Sequence, residues 1–360
     1  MSNPVLSILV ITYNQRDLFK RCLNSVLGQK LNVPFEVIVS DDRSDDGTAE
    51  YMAALIQQWK DGKLCIQNLV DIVYTRCNSD DCNPKNVSER CGWNKLNAYR
   101  HARGKCFVNV DADDYLRSDD IYQLQLDMLE THPECSMCMQ DVWQVNDGAP
   151  LESGFRWPSY GKLTNEQILS PLDIISDYRA LNPCYMIRRH LEFDCVALYG
   201  KYFDDTIITQ HHLQFGPVVY VNRADYVWIR YSDSIAMTLK DDDDDVEYGL
   251  LPLHEIRLIP AFAPIFMQAG LWPMIRMMKR IARNGYKWQL TERTQLAFRE
   301  APGYIYRVFS TNTCTLCDKI KLRYIRYVLL LYSHMHLTNW KYLYGLLIDC
   351  ESARRINWKL

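Results

Sequence analysis

The sequence predicts an α/β fold, in which a mainly parallel sheet with flanking helices is followed by a mostly helical C-terminal region. Strand and helix signals alternate over the first 140 residues, which is typical of a parallel sheet with helices on both faces. Acidic and polar residues follow several predicted strands, at the edge where such sheets bind ligands. Beyond residue 250 the pattern becomes helical and basic.

The predicted elements can be taken in chain order. Short β-branched apolar runs predict strands buried on both faces, and apolar residues at helical spacing predict amphipathic helices. The first four predicted strands are 5–12, 35–40, 71–76 and 105–110. The predicted helices are 15–29, 47–60 with Thr48 as its N-terminal cap, 93–102 and 118–130. Three shorter strands are predicted at 184–188, 217–222 and 226–231.

The length of 360 residues suits one large domain or two smaller ones. We place a first domain at 1–240 and a helical, basic region at 250–360. The second region carries 17 basic and 6 acidic residues, although the whole chain has a net charge of −3. Basic residues at helical spacing, such as Lys279 and Arg283, are typical of helices that lie on an anionic membrane surface. A packed subdomain with a solvated basic face fits the same pattern.

The N-terminus and the cysteines indicate the compartment. The first residues have neither a basic stretch nor a small-residue cleavage site, so no signal peptide is predicted. Thirteen cysteines, an odd number, favour reduced thiols. We therefore expect a cytoplasmic protein, with peripheral association at the inner face of the cytoplasmic membrane as an option. The spacings Cys135/Cys138 and Cys314/Cys317 are explained better by buried or incidental thiols than by a shared zinc site.

Three carboxylates, Asp111, Asp113 and Asp114, follow the predicted strand 105–110. Burying unpaired carboxylates costs free energy, and capping the next helix would need only one of them. A divalent cation fits better, because Mg²⁺ and Mn²⁺ prefer oxygen ligands and commonly use one or two carboxylates plus substrate phosphates. The pattern therefore predicts Mn²⁺ or Mg²⁺ together with a nucleotide.

The ends of the first two predicted strands carry groups that suit a nucleotide. Thr12, Tyr13 and Asn14 offer hydroxyls, a ring face and an amide. Asp41 and Asp42 offer carboxylates that can accept from a base N–H or a ribose hydroxyl. Each residue alone also fits an ordinary turn or cap.

Together these segments resemble the inverting, nucleotide-sugar-dependent glycosyltransferases of family 2, of the bacterial cell-surface glycan type, which have the Rossmann-like GT-A fold. The resemblance covers residues 1–235, and its three motifs come in family order. They are "TYN" at Val10–Asn14, "DDGSxDGT" at Asp41–Thr48, and the Asp-x-Asp strand with its preceding Gly at Ala102–Asp114. Arg43 replaces the usual Gly of the second motif, and Lys95 stands near the place of a usual Arg.

The resemblance implies a role for each matched residue. Base and ribose would be held by Thr12, Tyr13, Asn14 and Asp41, and a phosphate would be met by Lys95 and, further on, by Arg230. Asp113 would be the stronger metal ligand, and Asp111 would meet both ribose and metal. Asp114 would orient the loop and be the most replaceable of the three.

An inverting transfer also needs a carboxylate that takes the proton of the acceptor hydroxyl, while the metal stabilises the departing diphosphate. The family usually places this base in a Glu-Asp pair at a helix start. The segment 201–213 resembles that region, which makes Asp205 the expected base and Asp204 the alternative. The competing interpretation is an N-cap on a surface helix. His211 and His212 are expected on a helix face rather than as ligands.

The leading hypothesis is an enzyme that moves a single sugar from a nucleotide-diphosphate sugar, with UDP preferred, to a glycan or lipid-linked acceptor hydroxyl. The "QxxRW" motif of processive synthases and a transmembrane bundle are missing from the sequence, which favours addition of one sugar. The second hypothesis is a non-catalytic sugar-nucleotide binder or an assembly partner in glycan synthesis. A nucleotidyltransferase would need a Gly-rich loop after the first strand, and an Asp-x-Asp-x-Thr phosphatase would need Thr in place of Tyr115. Nucleic acid is not an expected partner.

Overall fold

The structure is a computed structural model, and it describes residues 3–77, 87–176, 182–190 and 205–232. The chain divides into two compact units, Met1–Met237 and Thr238–Leu360, and all described residues lie in the first. The predicted region 250–360, with Cys314 and Cys317, therefore lies outside the described residues. The predicted domain limits stay a prediction.

Two sheets contain the strands of the described residues. In chain order these strands are β1 (Leu6–Thr12), β2 (Phe35–Asp41), β3 (Leu69–Arg76), β4 (Cys106–Asp111), β5 (Tyr115–Leu116), β6 (Met137–Met139), β7 (Val142–Asn146), β8 (Phe155–Trp157), β9 (Gln167–Leu169), β10 (Tyr185–Arg188), β11 (Val218–Tyr220) and β12 (Tyr226–Arg230). The larger sheet has the order β3-β2-β1-β4-β10-β6-β11-β9, and the smaller has the order β5-β12-β7-β8. The first four strands of the larger sheet are parallel, and β10 runs antiparallel to both of its neighbours.

Helices cover the larger sheet. They are α1 (Arg16–Leu27), α2 (Thr48–Lys60), α3 (Val87–His101), α4 (Ile121–Thr131), α5 (Pro171–Ser176) and α6 (Asp205–Leu213). Within the described ranges, no helix is both long enough and apolar enough to cross a membrane. The mixed α/β architecture with its mainly parallel first half confirms the predicted fold class.

Hydrophobic patterning explains why the first half was predictable. Every residue of β1 and of β2 is buried, as expected of apolar runs in a sheet covered on both faces. On α1 the buried residues are Phe19, Cys22, Leu23 and Val26, which recur at helical spacing. The four long predicted strands and the four predicted helices of this half are all present, with ends that differ by a few residues.

The cap predicted for α2 is wrong. Thr48 is the first helical residue, and Gly47 precedes it with φ of 89°, in the left-handed region. Asp46 does the work assigned to Thr48, because its Oδ1 accepts from the Thr48 N–H at 3.1 Å and from the Thr48 hydroxyl at 2.6 Å. The sequence predicts a polar turn before this helix, but it does not predict which side chain accepts the hydrogen bonds of the first helical residue.

The smaller sheet was not predicted as a sheet, although β12 was predicted as a strand. Its strand β5 has two residues and follows the Asp-x-Asp segment directly. β12 pairs antiparallel with β5 and parallel with β7. The smaller sheet therefore lies beside the loop that carries the three carboxylates.

Cys135 and Cys138 are buried free thiols. Burial raises the pKa of Cys135 to about 11 and also raises the pKa of Cys138. Burial thus favours the protonated form of both thiols. The interpretation of this pair as buried thiols is the one that the structure supports.

Candidate functional site

Three predicted motifs meet at one edge of the larger sheet. In the parallel register Thr12 lies opposite Asp41, and Ile11 lies opposite Asp111. Because β2, β1 and β4 are adjacent and parallel, their carboxyl ends form a continuous edge. The predicted convergence of the strand ends is confirmed.

The β1–α1 loop and the β2–α2 loop are joined through Asn14. Its backbone adopts φ of 49°, its N–H donates to Ser44 Oγ at 2.8 Å, and its Oδ1 accepts from the Asp45 N–H at 2.9 Å. Thr12 is buried, and its hydroxyl has no hydrogen-bond partner among the described residues. Tyr13 is 47% exposed at the rim. The loop thus combines an exposed aromatic ring at Tyr13 with a buried hydroxyl at Thr12.

Asp41 is fully buried, and both carboxylate oxygens are engaged. Oδ1 accepts from the Ser44 N–H at 2.9 Å and from its hydroxyl, while Oδ2 accepts from the Tyr74 hydroxyl. Burial and this hydrogen bond raise the pKa of Tyr74. In this structure Asp41 shapes the β2–α2 loop, and its contact with a nucleotide stays a prediction.

Arg43 has φ of 59°, in the left-handed region, and its side chain is exposed. Glycine adopts this conformation without the steric conflict between Cβ and the backbone. The backbone of the motif is therefore the one that its usual glycine favours, and the arginine occupies it under strain.

Arg90 is a site residue that the sequence interpretation missed. Its guanidinium pairs with Asp42 Oδ2 at 3.0 Å and lies over the Tyr13 ring, with Cζ 5.1 Å from the ring centroid. Asn94, one turn further along α3, donates from Nδ2 to the carbonyl oxygens of Thr12 and Ser40. The signal was present in the sequence: Arg90, Asn94 and Asn97 recur at i, i+4 and i+7, which places three polar side chains on one face of a helix.

Lys95 lies inside this edge. It is buried, and its Nζ is 3.4 Å from Oδ1 of Asp111. Asp111 is partly exposed, with a third of its side chain accessible. The structure therefore places the residue predicted to meet a phosphate directly beside a predicted metal ligand.

Asp113 has an elevated pKa. Burial first, and the charge of Asp111 second, raise it to about 6, while Lys95 and Arg21 act in the opposite direction. Arg21 also donates from Nη2 to the Asp113 carbonyl oxygen at 2.7 Å, which fixes the loop backbone. A cation beside these carboxylates would act in the same direction as Lys95 and Arg21 and lower the pKa of Asp113.

Asp114 is not the most replaceable carboxylate, and that expectation is corrected. It is 3% exposed, its Oδ2 accepts from the Tyr226 hydroxyl at 2.7 Å, and its Oδ1 accepts from the Ile229 N–H at 3.0 Å. Burial, followed by the charges of Asp113 and Asp111, raises its pKa well above the ordinary value. Asp114 orients the loop, as expected, by fastening it to β12.

Comparison with known proteins assigns this segment. Residues 7–69, which contain β1 and β2 with the loops that follow them, match the family profile described as Glycosyl transferase family 2. This part of the chain is similar to the glycosyl transferases of family 2.

Two curated relatives share a longer segment with this chain. TuaG of Bacillus subtilis is 25% identical over 177 residues, which are 48% of this chain and 62% of TuaG. A poly(ribitol-phosphate) beta-glucosyltransferase of Bacillus spizizenii is 29% identical over 115 residues, which are 32% of this chain and 16% of that protein. The chain thus spans less than two thirds of either relative.

The match to the family 2 profile is consistent with the fold of the described residues. A structure of S. aureus TarS in complex with UDP-GlcNAc superposes with a TM-score of 0.59 and 19% identity, covering 99% of this chain and 93% of the TarS chain. At this identity the likeness concerns the fold, which is the GT-A fold that the resemblance implied.

The side chains of the candidate site fit a divalent cation only when substrate phosphates and water complete its coordination shell. The described part of the chain contains no group of three or more His, Cys, Asp or Glu side chains that could hold a metal ion. Asp111 and Asp113 provide two carboxylates, and such a pair is usual for Mg²⁺ or Mn²⁺ when substrate phosphates and water complete the shell. The elevated pKa of Asp113 supports the fit, since a cation would favour its ionised form.

The remaining predicted residues lie downstream. Arg230 ends β12, with its Cζ 5.7 Å from the centre of the Trp228 ring. Asp205 is the first residue of α6, and Asp204 lies outside the described residues. Their roles stay predictions.

His211 and His212 lie on α6 and are buried. Burial lowers the pKa of His211 to about 4 and that of His212 to about 3. The Nδ1 of His212 lies 2.7 Å from the Ile208 carbonyl oxygen, one helical turn earlier. Both lie on the helix, as expected, and burial favours their neutral form. The expectation that neither is a ligand stays a prediction.

Proposed function

We propose that the protein transfers a single sugar from a nucleotide-diphosphate sugar, with a UDP-sugar preferred, to a hydroxyl of a glycan or lipid-linked acceptor, with inversion. The observation that carries this proposal is that three polar strand ends meet at one edge of the sheet. This edge has an exposed aromatic ring at Tyr13 and paired carboxylates at Asp111 and Asp113. The match of residues 7–69 to the Glycosyl transferase family 2 profile supports it, as do two relatives named as a teichuronic acid biosynthesis glycosyltransferase and a poly(ribitol-phosphate) beta-glucosyltransferase.

The donor would lie along this edge from base to diphosphate. The Tyr13 ring, backed by the Arg90 guanidinium on one side, offers a face on which a base can stack. Thr12, Asn14 and Asp41 would fix the base and ribose, and the buried Thr12 hydroxyl has hydrogen-bonding capacity to spare. The TarS structure that shares the fold contains UDP-GlcNAc, which agrees with a UDP-sugar.

The diphosphate would face Asp111, Asp113, Lys95 and Arg230. Asp113, assisted by Asp111, would hold Mn²⁺ or Mg²⁺. When bound, such an ion supplies positive charge that stabilises the departing diphosphate. Lys95 and Arg230 contribute further positive charge from the protein itself, and Arg21 keeps the Asp113 backbone in place through its carbonyl oxygen.

The transfer itself exchanges one bond for another. An acceptor oxygen forms a bond to the anomeric carbon as the bond from that carbon to the diphosphate breaks, and the nucleoside diphosphate leaves with the electron pair. The acceptor proton passes to a carboxylate, which we assign to Asp205 at the start of α6, with Asp204 as the alternative.

A screen of nucleotide sugars tests the proposal. We expect one UDP-sugar, together with Mn²⁺, to raise the melting temperature and to be hydrolysed slowly without acceptor. The variants Asp113→Asn and Asp205→Asn separate the roles: the first should lose metal-dependent stabilisation and turnover, and the second should keep stabilisation but lose turnover. Turnover that survives in Asp205→Asn would contradict the base assignment.

The same screen decides between catalysis and mere binding. A protein that binds nucleotide sugars but turns over none of them, with or without metal, would be the non-catalytic binder or assembly partner considered above. Absence of binding to every nucleotide sugar would contradict both hypotheses.

A further inference from the structure

Two exposed aromatic side chains, one on β8 and one in the loop that follows it, form a stacked pair. Phe155 on β8 is 45% exposed and Tyr160 is 59% exposed. Their ring planes are parallel within 3°, and their centroids are 6.3 Å apart, as in an offset stack. We call this pair the aromatic platform. Large apolar rings that stay in water cost free energy, so a paired and exposed set indicates a binding role.

The backbone holds Tyr160 under strain. Tyr160 has φ of 51° and is followed by Gly161 with φ of 74°. A bulky residue in the left-handed region is uncommon and costs about 1–2 kcal/mol. Such strain persists only where the surroundings impose it, and it concentrates at binding sites.

A buried carboxylate imposes this loop conformation. Asp141 accepts from the Ser159 N–H at 3.1 Å and from the Ser159 hydroxyl, and Ser159 Oγ in turn accepts from the Gly161 N–H at 3.0 Å. Asp141 is fully buried and also accepts from the Tyr220 hydroxyl at 2.7 Å and from Arg156 Nε at 2.9 Å. Buried Asp141 thus holds the short loop in which the Tyr160 side chain is exposed to solvent.

The smaller sheet connects the platform to the donor edge. Phe155 lies opposite Gln144, and Gln144 lies opposite Trp228, so these three residues share one face of the sheet. By the alternation of strand residues, Tyr226 and Arg230 lie on that face too, and Tyr226 contacts Asp114. Three strand spacings separate β5 from β8, which amounts to about 15 Å.

We propose that the aromatic platform binds a sugar ring of the acceptor glycan, at a subsite several sugar units away from the reacting hydroxyl. One face of a pyranose ring consists of C–H groups that pack against an aromatic face, while its hydroxyl groups stay at the edge in water. An exposed aromatic face fits this chemistry better than it fits a protein partner, which would need a larger apolar patch. The proposal rests on the proposed glycosyl transfer, and it adds where the acceptor chain runs.

Direct binding measurements test the platform without nucleotide. The full-length protein is applied to purified wall teichoic, teichuronic and capsular polysaccharides immobilised on a sensor, and the Phe155→Ala and Tyr160→Gly variants are compared with the wild type. We expect each variant to bind the preferred polysaccharide roughly tenfold more weakly, as for the loss of about 1.4 kcal/mol. Tyr160→Phe, which keeps the ring face, should bind like the wild type.

Two of the variants distinguish a loss of binding from a loss of folding. Glycine is the residue that φ of 51° favours, so Tyr160→Gly should melt no lower than the wild type. Ile168→Ala is the matched control, because Ile168 is 42% exposed but lies on the edge strand β9 of the larger sheet. It should bind every polysaccharide like the wild type.

The outcomes separate this inference from the proposed function. Wild-type protein that binds none of the polysaccharides, or platform variants that bind as tightly as the wild type, would overturn the inference. A loss of acceptor-independent donor hydrolysis in Phe155→Ala would also overturn it, since the pair would then support the donor edge. Failure of the wild type to turn over any donor, with polysaccharide binding intact and platform-dependent, would instead overturn the proposed transfer.

Discussion

Asp113 and Asp114 are adjacent in the chain but have different surroundings. Asp114 is enclosed by protein donors from β12, whereas Asp113 faces Asp111 and has a pKa of about 6. A buried carboxylate with a raised pKa lowers the stability of the fold at neutral pH, because ionising it costs more in the native than in the unfolded chain. The proposed metal-binding role of Asp113 therefore carries a cost in stability.

We predict that Asp113→Asn stabilises the protein in chelator at pH 7.5 by about 1–3 kcal/mol. Between the ordinary pKa of 3.8 and the native value of about 6, the native state binds more protons than the unfolded state. The wild-type free energy of unfolding should thus fall as pH rises from about 4 to about 6, and the variant should lack this fall. Urea unfolding at several pH values measures both, and identical pH profiles would contradict the prediction.

Arg43 offers a second test at the scale of one residue. Arg43→Gly should stabilise the protein by about 0.5–1 kcal/mol, because glycine accepts φ of 59° without steric conflict. Arg43→Ala is the control, since it removes the exposed side chain but keeps Cβ, and it should bring no comparable gain. Equal stability of the two variants in urea unfolding would show that the backbone at this position carries no strain.

At the scale of elements, one side chain joins the Asp-x-Asp loop to the smaller sheet. Asp114→Ala would leave the Tyr226 hydroxyl and the Ile229 N–H buried without their acceptor, at a cost of about 2–4 kcal/mol. Asp114→Asn keeps one acceptor oxygen and should lose less. Asp17→Ala, on the exposed face of α1, is the matched control and should change the free energy of unfolding little.

The same scale shows what sequence patterns could predict. Long strands such as β1 and a helix such as α1 have enough periods of apolar residues to be recognised. Strands β6, β8 and β9 have three residues each, too few for a pattern to emerge. The partners of Asp41 and Asp114 also escaped prediction, because Tyr74 and Tyr226 reach them through tertiary packing rather than through any local motif.

Of the candidate site, too, the sequence predicts one part and leaves another part unpredicted. Parallel strand ends are brought together by topology, so Thr12, Asp41 and Asp111 could be placed at one edge from the sequence. Arg90 could have been found from its helical spacing with Asn94. The resemblance could assign Asp113 to the metal and Asp114 to the loop. The burial of Asp114 and its hydrogen bonds to β12 could not be predicted, because adjacent residues of the same type differ only in their tertiary surroundings.

At the scale of the whole molecule, charge separates the two ends of the chain. Residues 250–360 carry 17 basic and 6 acidic residues. We propose that this region meets an anionic membrane surface, and we predict that the full-length protein co-sediments with vesicles containing phosphatidylglycerol and is released by salt.

Neutralising part of the charge refines that prediction. Lys279→Gln combined with Arg283→Gln should weaken co-sedimentation by roughly thirtyfold, at about 1 kcal/mol for each charge near an anionic surface. Lys63→Gln is the matched control, as Lys63 is an exposed lysine of the first unit that pairs only locally with Asp61. Binding that is absent, or insensitive to both salt and these substitutions, would leave the basic face without a membrane role.

The bond between Asp114 and the Ile229 amide joins residues that are 115 positions apart. During synthesis the carboxylate emerges well before the strand that holds it, at about 5–20 residues per second. For roughly 6 to 23 s the nascent chain has the three motifs that end at Asp114 but lacks the β12 groups that hold its carboxylate. A chain released before β12 would therefore retain these three motifs and lack the bonds that fasten the Asp-x-Asp loop to the smaller sheet.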